Sequence, residues 1–173
     1  MLDNAIKYAE PLKQLFINTW YDEKYKYYNY RCYCNIPEFE ASTLNGHDFV
    51  SLNRAGKIIG AIGYTVLRDT ESVCGLGIVN FIDESNIEDR IIFGRDVLQA
   101  IRDIFEKYNF RKLSFCVVIG NPIEDTYDKL CAKYGGRIIG VETQEAKLWD
   151  NLYYDVKRYE ILREDYIRKR DKM

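Results

Sequence analysis

No apolar run in the chain reaches the roughly 18–20 residues that a membrane-spanning helix needs, so no membrane partner is expected. The opening stretch MLDNAIKYAEPLKQ has no basic region followed by an apolar core. No export signal is read there, and the expected compartment is the cytoplasm. Basic and acidic residues nearly balance, 25 against 27, for a net charge of −2. That leaves no electrostatic footprint for nucleic acid. There is a single histidine, His47, in the turn-like LNGHDF, so a Cys/His nucleophile pair would depend on that one residue. The five cysteines are Cys32, Cys34, Cys74, Cys116 and Cys131. The number is odd and three lie in apolar segments, which fits buried free thiols in a reducing compartment better than a disulfide framework. CYC at 32–34 lacks the four-ligand spacing of structural zinc, and no metal is expected. Repeats and low-complexity linkers are also absent, so residues 1–173 read as one domain.

What is present is a globular composition, 47% hydrophobic and 30% charged. A short strand near AIKYA opens the reading. A helix follows from Glu10-Pro11, with proline in the tolerated first turn and Leu12, Leu15, Phe16 and Trp20 at helical spacing. YDEKYKYYNYRCY carries six tyrosines, at 21, 25, 27, 28, 30 and 33. It reads either as a second helix with its aromatic side on the core or as an amphipathic wall that contacts a ligand. DFVSLNR and KIIGAIGYTVL, separated by AGK, form a hairpin pattern. SVCGLGIVNFID adds a third strand, in which Gly75 and Gly77 suggest a bulge or a close backbone approach.

Val97, Leu98, Ile101, Ile104, Phe105 and Tyr108 then make one helical stripe. KLSFCVVIG is a continuous apolar run, as in a strand covered on both faces. A helix between two such strands implies a right-handed crossover and a parallel pair. NPIEDTYDKLCAKYGG gives another helix, ended by Gly135-Gly136. RIIGVETQEAKLW and YYDVKRYEIL flank a DN turn as a closing hairpin. REDYIRKRDKM, residues 163–173, reads as a charged, weakly ordered tail.

This order resembles the GNAT superfamily of acyl-CoA-dependent N-acyltransferases over nearly the whole chain. GKIIGAIGY resembles its central strand. GRDVLQAIRDIFEKYNFRKLSFCVVIGNP is similar to its cofactor helix, the following strand and a terminal asparagine. GGRIIGVE and WDNLYYDVKRYEILREDY are similar to the closing hairpin of the ribosomal-protein alanine acetyltransferase branch, with Asp150-Asn151 and Tyr154-Asp155 at the matching places. The implied fold is α/β in the α+β sense: a mixed, mostly antiparallel sheet with a parallel crossover in its middle and helices on both faces. The chain departs from the superfamily at the Gln/Arg-x-x-Gly-x-Gly/Ala loop. Aligning Gly94 with the last small residue puts Asp89 at the Gln/Arg position and Ile92 at the first glycine.

The resemblance implies acetyl-CoA as co-substrate and no metal. Arg90, Phe93, Gly94 and Arg95 would sit where a helix N-terminus holds pyrophosphate. Phe81 and Ile82 would line the pantetheine arm, and Asn121 would contact the cofactor. For Asn121 alone, a turn role before Pro122 is equally available. Tyr127, six residues after Asn121, stands where the family places a general acid, although a packing role on its helix is open too. Tyr27, Tyr30 and Asn80 would meet an amine acceptor, a small molecule or a peptide. No general base stands out among Asn80, Asp83, Glu142 and Asp155, which favours a weakly basic amine. A homodimer is left open. The rival readings are a GNAT-like binding module without catalysis, presenting a tyrosine-rich face, and a thiol enzyme using Cys116 or Cys131.

Overall fold

The computed structural model describes residues 1–28, 45–83 and 85–172. Tyr30, Tyr33, Cys32 and Cys34 lie outside the described residues. The strands are β1 (Leu2–Asn4), β2 (Gly46–Leu52), β3 (Ile58–Leu67), β4 (Ser72–Asn80), β5 (Lys112–Val118), β6 (Arg137–Lys147) and β7 (Tyr153–Leu162). They form one sheet in the order β1-β2-β3-β4-β5-β7-β6. Every neighbouring pair is antiparallel except β4 and β5. The sequence places the opening strand at AIKYA. The structure instead has β1 before it and a 3-10 turn over Ala5–Tyr8, because Asn4 caps the Ile6 N–H and starts the turn there.

Helices cover both faces. On one face, α1 (Ala9–Asn18) and the 3-10 turn before it bury Ala5 and Leu12 against Val50, Leu52, Ile58 and Ala61. On the other lie α2 (Ile87–Arg102), α3 (Glu124–Lys133) and α4 (Arg163–Arg170), with Ile101, Phe105, Tyr127 and Tyr166 in the larger core. Ile101, Ile104 and Phe105 are fully buried, each contributing about 1.5–3 kcal/mol. Phe93 reaches the sheet because β3 offers Gly60 beneath it, where any Cβ would collide with the Phe93 ring. Between Gly63 and Thr65 the β3–β4 register shifts, and Gly75 takes φ +65°, the bulge that the glycines foretell.

Two expectations are corrected here. The apolar stripe of α2 does not run through Tyr108. A π-turn at Asp103–Lys107 inserts a residue and swings Tyr108 out to 44% exposure. Residues 163–173 are not a loose tail: Arg163–Arg170 is α4. Tyr166 is 1% exposed, stacks on Phe105 at 4.6 Å, and donates to Glu106 Oε1 at 2.7 Å. The charges of the segment lie on its outer side and mask one buried aromatic.

Candidate active site

The site begins where the sheet parts. β4 and β5 pair only at Ser72↔Lys112 and Val73↔Leu113. Beyond that point each strand stays paired on its other side, β4 with β3 as far as Asn80 and β5 with β7 as far as Val118. The Phe81 N–H donates to Ile59 O. Alternation in an antiparallel ladder therefore turns the backbone groups of Asn80 and Ile82 away from β3, towards β5. The result is an opening inside the sheet with a strand edge facing it. Phe81 turns its ring to the α1 face, edge-on to Phe16 at 5.6 Å, while Ile82 is buried in the larger core.

The tyrosine-rich segment crosses the mouth of this opening. It is not a second helix among the described residues: Glu23–Tyr25 is a single 3-10 turn capped by Asp22. Lys24 Nζ donates to Ile82 O at 2.9 Å, and Tyr25 lies 6.4 Å from the Phe81 ring, which ties the segment to β4. On the β5 side, the Tyr27 hydroxyl comes so close to Gly120 that a Cβ there would meet it at 3.4 Å. Tyr27 also packs edge-on to Tyr154. Lys26 Nζ pairs with Asp150 at 2.8 Å, and the Tyr154 hydroxyl donates to the same carboxylate at 2.7 Å. The hydrogen bond from Lys26, then that from Tyr154, hold the Asp150 carboxyl down to about 2. Lys26 is not singled out by sequence reading. Its one signal is a cation set among tyrosines, with Asp150 far away in the chain.

Tyr127 of α3 is buried, edge-on to Phe115 at 5.3 Å and to Tyr159 at 6.3 Å. Its hydroxyl makes no hydrogen bond with the described residues. Burial above all pushes its pKa well up, with smaller contributions from Tyr28 and Cys116, so the phenol stays protonated at neutral pH. Tyr28 belongs to the segment across the mouth. Asn121 is buried, and its Oδ1 accepts from the Ile123 N–H at 3.1 Å, the turn role that its neighbour Pro122 suggests. Its Nδ2 makes no hydrogen bond with the described residues.

The far side of the mouth departs from expectation. The turn supposed to cradle pyrophosphate is already helix. α2 starts at Ile87, the Asn86 side chain caps the Asp89 N–H, and Glu88 and Asp89 fill the first turn. That follows from the sequence N-x-x-D, in which asparagine is a favoured cap and acids suit a helix start. Gly94 is thus two turns inside the helix, with open space around it. Its N–H lies in the helical ladder and does not face a ligand. Phe93 is core, seated over Gly60. Arg90 and Arg95 are exposed on either side of Gly94.

The candidate bases are all engaged. Asp83 accepts from the Ser85 N–H and hydroxyl, Glu142 pairs with Arg158 at 2.7 Å, and Asp155 accepts from the Gln144 N–H. Asn80 ends β4, opposite Gly60. The thiol reading loses ground: burial pushes the Cys131 thiol up to about 11, so little thiolate forms near neutrality. His47 stacks on Tyr64. No helix among the described residues is long and apolar enough to cross a membrane.

No protein-family model matches the sequence, and no curated protein does. Solved structures do match. A probable GNAT-family acetyltransferase from Chromobacterium violaceum superposes with a TM-score of 0.69 at 14% identity, over 96% of this chain and 88% of its own. A mutant of spermidine N-acetyltransferase SpeG from Vibrio cholerae gives 0.60 at 19%, over 93% and 79%. A spermidine/spermine N-acetyltransferase SpeG from the same organism, in complex with manganese ions, gives 0.60 at 18%, over 92% and 78%. At these identities the matches establish the fold, which is that of GNAT acetyltransferases. They do not support the likeness to the ribosomal-protein alanine acetyltransferase branch.

Proposed function

We propose that the chain is an acyl-CoA-dependent N-acyltransferase that moves an acetyl group from acetyl-CoA to an amine of a small molecule or peptide. The observation that carries this reading is the parting of β4 and β5. An edge inside a sheet is matched by an extended chain with its own amides, which can add to it as a strand would, and the pantetheine arm is such a chain. The matched acetyltransferases favour the same reading, and the spermidine acetyltransferases among them favour a small amine acceptor.

Acetyl-CoA supplies an activated acyl thioester. The backbone of Asn80 on β4 and the Asn121 Nδ2 would bind its arm. Phe81 and Ile82 would flank it. Arg90 and Arg95 would reach the phosphates as side chains, in place of a loop of amides. Tyr127 would point its hydroxyl at the sulfur and donate to the charge that develops there as the C–S bond breaks. Its raised pKa keeps the donor in place across the neutral range. Tyr27 and Tyr30 would wall the acceptor. With Asp83, Glu142 and Asp155 engaged elsewhere, the amine would lose its proton to water, which is easiest for amines of pKa near 8.

A second reading, a binding module without catalysis, is favoured by one observation. The first turn of α2 is closed, capped and acidic where a diphosphate would lie. The two separate in a screen of amines and peptides for CoA release from acetyl-CoA. Release with a subset of amines supports the enzyme. No release and no acetyl-CoA binding at millimolar concentration leaves the binding module.

A further inference from the structure

Lys24 Nζ donates to Ile82 O at 2.9 Å, from a position beside the Tyr25 ring. The backbone groups of Ile82 face away from β3, since the neighbouring Phe81 N–H goes to Ile59 O. The Ile82 carbonyl is therefore the last acceptor on the open β4 edge before the turn at Asp83–Asn86 that leads into α2. An arm amide that adds to this edge as a strand would has to donate to the same oxygen. Lys24 and the arm thus compete for one carbonyl. The ammonium carries three N–H groups, and Ile82 O is its one hydrogen-bond acceptor among the described residues. No carboxylate pairs with it there, whereas Lys26, two residues on, is bound to Asp150 at 2.8 Å. A second lysine stands near. Asp83, held below its usual range first by the Ser85 N–H and hydroxyl, also feels Lys24 and Lys57. Cations from two elements, the segment after α1 and the β2–β3 turn, therefore flank the turn into α2.

We propose that Lys24 recognises the diphosphate of acyl-CoA by exchange: it yields Ile82 O to an amide of the arm and turns its ammonium to the phosphates. The proposal rests on the acyltransferase reading of the opening. With the thioester at Tyr127, the arm runs along β4 towards α2, and its diphosphate lies beyond Ile82. The pantoate unit between the outer amide and the diphosphate is similar in length to a lysine side chain. Nζ therefore reaches the phosphates while the segment stays tied through Lys26 and Asp150. The exchange answers the lack of an amide cradle. Where the first turn of α2 is capped and acidic, the phosphates need a cation on a flexible stem, and lysine is one. The same exchange sets specificity. A thioester on pantetheine alone has the amide that displaces Lys24 but nothing to receive the ammonium. A diphosphate receives it with a charge-assisted hydrogen bond.

The test is calorimetric. Acetyl-CoA and S-acetylpantetheine, which lacks the phosphates, are titrated at low salt into the wild type, Lys24→Met and Lys24→Arg. In Lys24→Met acetyl-CoA should bind about tenfold more weakly or worse, the loss of one hydrogen bond between charged groups. S-acetylpantetheine should bind that variant about threefold more tightly, because no donor competes for Ile82 O. Lys24→Arg keeps the charge and should hold acetyl-CoA within about threefold of the wild type. Should Lys24→Met disturb folding, Lys24→Gln keeps a donor without the charge, and there acetyl-CoA alone should weaken. Both ligands weakened alike, acetyl-CoA unchanged, or S-acetylpantetheine bound no more tightly by Lys24→Met than by the wild type overturns the proposal. In each of those cases acetyl-CoA still binds the wild type, and the acyltransferase reading stands. No binding of acetyl-CoA to the wild type at millimolar concentration overturns both.

Discussion

The two sides of the opening between β4 and β5 are built by different means. On the side of the tyrosine-rich segment, residues 21–28 are tied across the mouth by long-range polar contacts: Lys24 to Ile82 O, and Lys26 and Tyr154 to Asp150. A buried phenol with no hydrogen-bond partner among the described residues lies beside it. On the α2 side, local forces win. A good cap and an acidic first turn wind into helix the stretch that would otherwise have offered free amides. The difference shows that an anion cradle needs a sequence that resists helix as much as one that supplies glycine. Here one glycine, Gly94, is not enough to keep Ile91, Ile92 and Phe93 from continuing the helix. Any phosphate recognition on this side must come from side chains, and so must be sensitive to salt.

The sharpest way to test the side that holds Tyr127 is Tyr127→Phe. The hydroxyl bonds to none of the described residues, so the melting temperature should hold. If it donates to the departing sulfur, kcat should fall by about 10²-fold or more with acetyl-CoA affinity unchanged. A kcat within about threefold of wild type, below the usual contribution of such a donor, would reduce Tyr127 to packing.

On the α2 side, replacing Arg90 and Arg95 together with alanine should raise the KM for acetyl-CoA by about tenfold or more, since hydrogen bonds to charged groups are worth about 1.5–3 kcal/mol. The effect should shrink as salt is added, and kcat should stay put. An unchanged KM at low salt would move the phosphates elsewhere.

The ties across the mouth have a pH signature. Asp150 is held near 2 in the folded chain, against about 3.9 when unfolded. A depressed carboxyl stabilises the fold above the unfolded value, and that stabilisation is lost as pH falls from about 4 towards 2. Melting of the wild type and of Asp150→Asn should therefore differ at pH 6 and converge near pH 2. Curves that stay parallel throughout would remove Asp150 from the tie.

The smallest effect separates the two sides most finely. Gly94→Ala should raise stability by about 1 kcal/mol, the helix-propensity gain at an exposed interior position with room for a methyl group, and leave the acetyl-CoA KM alone. A rise in KM would mean that a ligand does approach Gly94 closely.

These contrasts also explain what the sequence made legible. The strand order and the parallel crossover could be read because hydrophobic period and glycine-marked turns are local signals, as in KIIGAIGY and KLSFCVVIG. The fate of residues 86–94 could not. There the superfamily spacing pointed to a loop, while Asn86 and the acids after it favoured a helix. The α4 segment was misread for the opposite reason: six charges in residues 163–170 outweighed Tyr166, whose burial depends on Phe105 and Glu106 some 60 positions away. Tyr127 and Asn121 were named from the superfamily resemblance; the structure adds that the Tyr127 hydroxyl and the Asn121 Nδ2 have no hydrogen-bond partner among the described residues.

The central claim is that the edge between β4 and β5 takes up an acyl-CoA arm. Amide hydrogen exchange tests it most directly, followed by mass spectrometry with and without millimolar acetyl-CoA. Exchange should slow in residues 76–82 and 114–121, the two sides of the opening, and stay unchanged in the β6–β7 hairpin. If no peptide from either side slows at that concentration, the opening does not bind the arm, and the chain keeps the acetyltransferase fold without its cofactor.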